Sequence, residues 1–359
     1  MQPIEAWIRK VTSPEPVDSA SLRYQGMAHQ APPDLCGVYR PYDPNRVDDW
    51  IERTLIYSYL DALGSRGRIL DIGTGDGWPA LPLAPYVKEV VGIDLAARRV
   101  EVSEENRARL GYENVHFFLA SGEDLPFVDR SFDGVVAGTS IEQMDDPRRC
   151  FAEMRRVLAP GGAAVITVEH LPVELAGPFE EEVEFFQRGE SFCYRYTVKE
   201  ADPPREAEYE LILSPHGKTA ARLAELALCF PSRPGFVRRQ NGEPGARPLE
   251  GTIGASYGLS LLETAKAAIA SAQGFELQHF TQESLREALA GVGFAQVEIH
   301  GRLTGAAHRF LLALTERGGL ADLAPHFETL CASLATLWPL IHPQTDRVLL
   351  ARARRGKHD

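Results

Sequence analysis

The 359-residue sequence lacks the features that mark several large classes of protein. Its five cysteines are scattered and never closely spaced, which argues against a disulfide framework and against a Cys-x-x-Cys zinc site. No uninterrupted apolar run approaches the roughly 20 residues that a membrane-spanning helix needs. The first residues contain no apolar signal-peptide core. We therefore expect a cytoplasmic protein with no bound metal and no membrane partner.

Basic charge is also scarce in this chain. The 38 Lys and Arg residues stand against 50 Asp and Glu residues, which gives a net charge of −12 and a pI of about 5.4. A nucleic-acid-binding domain usually presents an excess of basic residues. The charge balance therefore argues against a nucleic-acid partner, and an oligomer stays possible.

What the sequence does contain is a glycine-rich turn after an apolar strand pattern. Residues 68–84 read RILDIGTGDGWPALPLA, in which the strand pattern contains Asp71 and leads into Gly73, Gly75 and Gly77. Glycine at such a turn lets the backbone approach a ligand more closely than any Cβ would permit. The next apolar run ends at Asp94, a position suited to accept hydrogen bonds from a ribose diol.

The spacing of these glycines separates two kinds of ligand. A dinucleotide-binding fingerprint has glycine at its first, third and sixth positions, but the sixth position here is Trp78. The acid-x-Gly-x-Gly-x-Gly pattern instead resembles motif I of class I S-adenosylmethionine-dependent methyltransferases. A Leu-Pro-Phe segment at 125–127 and a Pro-Gly-Gly turn at 160–162 follow in the order of that family. The pattern therefore disfavours a nicotinamide oxidoreductase.

The resemblance implies S-adenosyl-L-methionine as the cofactor. It also implies cofactor contacts from several strand ends and turns, at Asp71, Gly73, Thr74, Gly75, Gly77, Asp94, Leu95, Ser121, Gly122, Glu123 and Thr139. The family usually has an acidic adenine contact where this chain has Ser121. The adenine amine would then bind Ser121 Oγ or a nearby acid such as Glu123, for which a solvated turn is the alternative interpretation.

Strand and helix patterns alternate from residue 47 to residue 170, which predicts an α/β fold with a parallel sheet. The resemblance implies a doubly wound, mostly parallel, seven-stranded Rossmann-like sheet. The pattern is interrupted after His170 by a segment too long to be a structureless loop. We expect an N-terminal lid (1–45), a cofactor-binding core (46–170), an inserted, substrate-facing α+β cap (171–275) and a C-terminal part of the core with a helical insertion (276–359). The last strand is expected at 347–354, with 309–314 as the alternative.

Candidates for the chemical step follow the ends of the predicted strands, because ligands of open α/β sheets bind beyond the carboxyl ends of the strands. Glu142 and His170 follow the fourth and fifth strands and are predicted to be catalytic. The alternatives are that Glu142 caps the helix region at Asp146 and that His170 is an ordinary polar residue at a strand end. Many relatives carry a histidine near Gln143, so a base at that position is missing here.

Four further residues are predicted to bind the substrate. They are Tyr39 and Arg40 in the N-terminal lid, and Tyr194 and Tyr196 in a predicted hairpin of the insertion. Packing in a core is the alternative for each of them. The sequence thus predicts methyl transfer to a small molecule by in-line displacement, with the acceptor placed and desolvated by the protein. A non-catalytic S-adenosylmethionine-binding sensor or assembly protein of the same fold is the alternative function.

Overall fold

The computed structural model describes residues 1–17, 42–228, 255–302, 304–317, 319–345 and 347–357. The chain divides into two compact units. The first, which we call the inserted unit, comprises Met1–Leu22 and Leu175–His279, and the second, the core unit, comprises Arg23–Glu174 and Phe280–Asp359, each as far as it is described. The predicted lid residues Tyr39 and Arg40 lie outside the described residues.

The strands are numbered here in chain order. They are β1 Glu15–Pro16, β2 Arg68–Ile72, β3 Glu89–Asp94, β4 Val115–Leu119, β5 Phe132–Gly138, β6 Leu158–Glu169, β7 Phe179–Arg188, β8 Ser191–Ala201, β9 Pro204–Leu213, β10 Ile269–Gln278, β11 Gln296–Gly301 and β12 Val348–Arg354.

The α-helices follow the same convention. They are α1 Pro3–Thr12, α2 Val47–Leu63, α3 Ala80–Leu83, α4 Ala97–Leu110, α5 Pro147–Val157, α6 Leu171–Glu174, α7 Gly217–Leu228, α8 Ala255–Ala265, α9 Gln282–Gly291, α10 Thr304–Glu316, α11 Leu320–Leu323 and α12 Phe327–Ala335. Among the described residues, none of these helices combines the length and the apolar composition needed to cross a bilayer.

The core unit is built on a seven-stranded sheet with the order β11-β12-β6-β5-β2-β3-β4. Neighbouring strands from β2 to β6 are parallel, whereas β12 runs antiparallel to both β6 and β11. The doubly wound, mostly parallel, seven-stranded sheet is thereby confirmed. The last strand is β12 at Val348–Arg354, and the alternative at 309–314 is wrong because those residues lie inside α10.

Two apolar layers cover the two faces of this sheet. Along β2, Leu70 and Ile72 belong to one buried cluster and Ile69 belongs to the other, and all three side chains are fully buried. A central parallel strand is covered by helices on both faces, and an almost continuous apolar run satisfies both. The chain proceeds from β2 through β3 to β4 on one side and places β5 and β6 on the other. The strand order therefore reverses beside β2, which makes the carboxyl end of β2 a switch point.

Helix ends in the core unit follow the capping signals of the sequence. Asp146 accepts a hydrogen bond from the amide of Arg149, and Pro147 occupies the first turn of α5. Thr281 and Ser284 form a capping box at the start of α9. Such caps satisfy amides that have no partner within the helix. They fix where α5 and α9 begin.

The inserted unit is a five-stranded sheet with the order β1-β10-β9-β8-β7. The strands from β7 to β10 are antiparallel, and residues 202–203 connect β8 to β9 near the expected hairpin turn. Helix α1 belongs to this unit because Ile4 and Ile8 are buried in the same apolar cluster as the sheet residues. The interpretation of residues 1–45 as one lid does not anticipate this packing. The lid and cap assignments therefore stay predictions.

Candidate functional site

The glycine turn folds over the carboxyl end of β3. The amides of Gly73 and Thr74 both donate to the carbonyl oxygen of Ile93 at 2.9 Å. The amide of Gly75 donates to Asp94 Oδ2 at 2.9 Å. Hydrogen bonds from the amides of the turn to a neighbouring strand end therefore fix the conformation of the turn.

The three glycines of this turn serve different purposes, although all have positive φ angles (72°, 55° and 105°). A Cβ at Gly73 would lie 2.4 Å from Ser140 Cβ, and a Cβ at Gly77 would lie 2.4 Å from Leu81 Cδ1. At Gly75, among the described residues, the nearest atom to such a Cβ is Arg99 Nη1, at 4.0 Å. Gly73 and Gly77 are thus required by packing, whereas the backbone of Gly75 borders open space that a ligand can occupy.

Asp94 holds the turn and the start of the next helix together. Its second oxygen, Oδ1, accepts from the amide of Ala96 at 2.8 Å. Burial raises the pKa of this carboxyl group, and the amides of Ala96 and Gly75 oppose that effect. Each carboxylate oxygen can accept more than one hydrogen bond, so both can also receive ribose hydroxyls. Leu95 beside it is 58% exposed, as a residue that packs on a bound ring would be.

Asp71 lies below this surface. Its side chain is fully buried, and Oδ2 accepts from the amide of Ala80 at 3.1 Å. Burial raises the pKa of Asp71 to about 7. The carboxyl group of Asp71 therefore stabilises the start of α3 through its hydrogen bond with the amide of Ala80.

The segment after β4 is held by its own side chains. Ser121 Oγ accepts from the amide of Glu123 at 3.1 Å, and the Glu123 carboxylate accepts from the amide of Asp146 at 2.9 Å. Gly122 is buried, and a Cβ there would lie 2.8 Å from Ile72 Cγ2. The Glu123 carboxylate therefore stabilises this turn through a hydrogen bond, which disfavours the interpretation of Glu123 as a solvated side chain. Ser121, which is partly exposed, is left as the predicted adenine contact.

The predicted catalytic residues come together at the ends of β5 and β6. The carboxylate of Glu142, which is 1% exposed, accepts from the amide of Glu169 at 3.0 Å. His170 is also 1% exposed, and its carbonyl oxygen accepts from the amides of α6. Glu142 therefore fixes the backbone immediately before His170. The capping contact to Asp146, considered above for Glu142, is made by Glu123 instead.

Thr139 marks the end of β5 with an unusual backbone conformation. It has a positive φ of 51°, and its amide donates to the carbonyl oxygen of Thr167 at 2.8 Å. A positive φ is uncommon for residues other than glycine and is found most often at turns and functional sites. The Thr139 side chain is exposed beside the glycine turn, which Ser140 contacts directly.

Tyr194 and Tyr196 are fully buried in the inserted unit. They lie in the apolar cluster that contains Ile4 and Ile8 of α1, and the Tyr196 hydroxyl donates to Glu181 Oε1 at 2.5 Å. Burial raises the pKa of both phenols. This placement favours the packing alternative over direct contact with a substrate.

Two groups of residues around the turn are not among the candidates from the sequence. Asn106 Nδ2 donates to the carbonyl oxygen of Asp76 at 2.9 Å, and Arg99 pairs with the Asp76 carboxylate. The second group is Trp78 with Tyr59, whose rings are 5.9 Å apart. The position of Trp78 in the motif is visible in the sequence, but its partners come from distant segments.

Comparison with known proteins decides the family. Residues 70–166, from β2 to β6, match the protein-family model described as "Methyltransferase domain". This segment is a class I S-adenosylmethionine-dependent methyltransferase domain. S-adenosyl-L-methionine is the cofactor expected of this methyltransferase core. The core fits it, because Gly75 borders open space and Asp94 accepts hydrogen bonds at the adjacent strand end.

Two curated relatives match just over a quarter of this chain. A ubiquinone/menaquinone biosynthesis C-methyltransferase from Geotalea daltonii is 38% identical over 104 residues, which are 28% of this chain and 44% of the relative. An O-methyltransferase from Penicillium expansum is 41% identical over 100 residues, 27% of this chain and 36% of the relative. The chain thus spans less than half the length of these relatives.

Among solved structures, an S-adenosylmethionine-dependent methyltransferase from Clostridium acetobutylicum aligns with a TM-score of 0.47. It is 11% identical, and the alignment covers 85% of this chain and 91% of that chain.

Proposed function

We propose that this protein transfers the methyl group of S-adenosyl-L-methionine to a small-molecule acceptor. The observation that carries the proposal is the hydrogen bond from the amide of Gly75 to Asp94, beside the switch point of the sheet. This hydrogen bond connects the backbone of Gly75, which borders open space, to the carboxylate of Asp94, which is placed to bind the hydroxyls of a ribose. When bound, the cofactor supplies an activated methyl group on a sulfonium.

The residues of the core then have distinct tasks in the proposal. Asp94 binds the ribose hydroxyls, Leu95 packs on the adenine, and Ser121 Oγ binds its amine. The turn from Gly73 to Gly77 orients the methionine end. Asp94, Ser121 and the glycine turn are held by hydrogen bonds within the core, so they need little ordering when the ligand binds.

For an acceptor with a hydroxyl or an amine, we assign proton removal to a ring nitrogen of His170 and a positioning role to Glu142. Glu142 holds the amide of Glu169, the residue before His170. A positioned base contributes roughly 10²- to 10⁴-fold to such a reaction. The remaining catalysis is placement of the acceptor in line with the methyl group and removal of water.

Two observations support a small molecule as the acceptor. The matched relatives are named for C- and O-methyl transfer, and one name refers to ubiquinone and menaquinone biosynthesis. The net charge of −12 also disfavours a nucleic acid. Since the methyltransferase family model matches only residues 70–166, we propose that acceptor choice depends on residues outside that range.

The proposal is tested by the formation of S-adenosylhomocysteine when the full chain is incubated with S-adenosylmethionine and fractionated cell extract. Product must appear and must depend on the extract fraction. Tight binding of the cofactor by calorimetry, without turnover in any fraction, would support the sensor alternative. Failure to bind the cofactor would overturn both.

The role of His170 is tested with the active fraction. His170→Gln should lower kcat about 10²-fold or more, with little change in the affinity for the cofactor. His116→Gln is the matched control, because His116 is exposed on the edge strand β4 and should retain full activity. Equal activity of the two variants would remove His170 from the chemical step.

A further inference from the structure

Trp78 is the residue of the glycine turn that the proposed function does not use. It directly follows Gly77, and its amide donates to the carbonyl oxygen of Thr74 at 3.0 Å. Its side chain is only partly buried, although the residues on both sides of it, Gly77 and Pro79, are buried. A large aromatic ring thus reaches solvent at the end of the motif, where a dinucleotide-binding protein would have glycine.

The ring of Trp78 packs on a tyrosine of α2 that is itself hydrogen-bonded to β6. It packs edge-to-face on Tyr59, with ring centroids 5.9 Å apart and an angle of 62° between the planes. The hydroxyl of Tyr59 is hydrogen-bonded to Thr167 Oγ1 at 2.9 Å, and both residues are fully buried. The indole ring of Trp78 therefore packs on a buried, hydrogen-bonded tyrosine near the carboxyl ends of the strands.

Gly138, the last residue of β5, makes room for this ring. A Cβ at Gly138 would lie 2.9 Å from Trp78 Cζ3 and 3.4 Å from the Tyr59 hydroxyl oxygen. The indole therefore lies against the end of β5, next to β2, at the point where the strand order reverses. That point is where a ligand of an open α/β sheet is bound.

The methyl donor and the product differ in charge at the sulfur atom, and this difference bears on the position of Trp78. S-adenosylmethionine carries a positive sulfonium, whereas S-adenosylhomocysteine, the product, has a neutral thioether at the same place. The face of an aromatic ring attracts a cation, and indole does so most strongly. A partly exposed indole at the glycine turn can therefore bind the methyl donor more tightly than the product.

We propose that Trp78 contacts the sulfonium of the bound cofactor and gives the site its preference for S-adenosylmethionine over S-adenosylhomocysteine. The inference rests on the proposed cofactor site but not on any acceptor. It predicts that loss of the positive charge on methyl transfer weakens binding and favours release of the product.

The test compares the dissociation constants of the two ligands by calorimetry in the wild-type chain and in Trp78→Leu. The variant should weaken S-adenosylmethionine binding roughly 3- to 30-fold more than S-adenosylhomocysteine binding, the range expected for a cation–aromatic contact. Trp78→Phe keeps an aromatic ring and should retain most of the preference. Trp338→Phe, at a fully buried tryptophan that bonds Asp61, should change neither constant.

Fluorescence provides a second measurement that does not depend on the leucine variant. The chain has four tryptophans. S-adenosylmethionine should quench the emission more than S-adenosylhomocysteine does, and Trp78→Phe should abolish that difference while Trp338→Phe retains it. Equal loss of both ligands in Trp78→Leu, or a quenching difference that survives Trp78→Phe, would overturn the inference. A wild-type chain that binds neither ligand would instead overturn the proposed cofactor site.

Discussion

The core unit and the inserted unit use buried acidic residues in different ways. In the core unit, Asp94 and Glu142 accept hydrogen bonds from backbone amides at the ends of neighbouring strands. In the inserted unit, the fully buried carboxylate of Glu5 accepts two hydrogen bonds from the Arg205 guanidinium, at 3.0 and 2.7 Å, and a third from the Tyr209 hydroxyl at 3.0 Å. The carboxylates of the core unit thus fix the backbone of turns. In the inserted unit, the guanidinium of Arg205 neutralises the negative charge of Glu5 between α1 and the sheet.

This difference explains why only one of the two units can be recognised by its sequence. A turn shaped by backbone contacts needs glycine at fixed positions, because a Cβ would collide or would require a strained φ angle. A network of side chains can be built from residues far apart in the chain, as Glu5 and Arg205 are. It leaves no local motif.

The largest expected effect is on the ion pair of the inserted unit. Arg205→Ala should lower the free energy of unfolding by about 3–5 kcal/mol, because the buried carboxylate of Glu5 loses both guanidinium hydrogen bonds and keeps only Arg9, at 3.1 Å, as a cationic partner. Although burial acts to raise the pKa of Glu5, hydrogen bonding and charge from Arg205 hold it below its usual value. Chemical denaturation measures the loss.

The exposed helical pair in the core unit is the control for this change. Glu101 forms an ion pair with Arg98 at 2.8 Å, and the Glu101 side chain is 62% exposed. Glu101→Ala removes this pair. It should cost less than about 1 kcal/mol. Similar losses in the two variants would show that burial of the Glu5–Arg205 pair does not increase its contribution to stability.

The second effect concerns the glycine turn. Gly73→Ala should destabilise the chain by about 2–4 kcal/mol, since the new Cβ must displace Ser140 at a positive φ. Gly189→Ala, in the inserted unit, has a similar φ of 62° but no atom within 4 Å of the new Cβ. It should cost only about 1–2 kcal/mol. Thermal unfolding of both variants distinguishes steric collision from backbone strain.

A third change acts on binding. Asp94→Ala should weaken S-adenosylmethionine binding by roughly 1–3 kcal/mol, through the loss of charge-assisted hydrogen bonds to the ribose and of the contact that holds Gly75. Calorimetry measures the affinity. Glu200→Ala, in the inserted unit, removes a carboxylate bonded to Arg205 and should leave the affinity unchanged. If Asp94→Ala binds as well as the wild type does, Asp94 has no role at the ribose.

The most gradual of the expected effects is a pH dependence from Asp71. Burial raises the pKa of Asp71 to about 7, above the ordinary value of 3.8. The folded protein therefore holds a proton that the unfolded chain loses, and this contribution to stability is complete below about pH 4. It is lost as the pH rises to about 7, with a slope of at most about 1.4 kcal/mol per pH unit.

Asp71→Asn should remove this dependence while its amide oxygen still accepts from Ala80. The difference in unfolding free energy between wild type and variant should therefore change between pH 4 and pH 7 and stay constant above that range. Denaturation at several pH values measures it. A constant difference throughout would show that the buried carboxyl group does not titrate in this range.

Much of the core could be predicted because its signals are local. The alternation of strands and helices, the proline after Asp146 and the cap at Thr281 each depend on neighbouring residues. The antiparallel strand β12 was one of two candidates, and pairing with β6 and β11 over its whole length decided between them. The packing of α1 on β7 to β10 could not be read from the sequence, since it joins segments that are about 170 residues apart or more.

The sequence by itself determined the family of the core and its cofactor, because a backbone that must approach a ligand requires glycine at set positions beside an acidic strand end. The tertiary structure decided what each candidate side chain touches. It placed Glu142 on the amide before His170, committed Glu123 to Asp146, and buried Tyr194 and Tyr196 in the inserted unit. It also set Trp78 against Gly138 and Tyr59. These contacts form between distant segments only when the sheet is complete, so no local pattern records them.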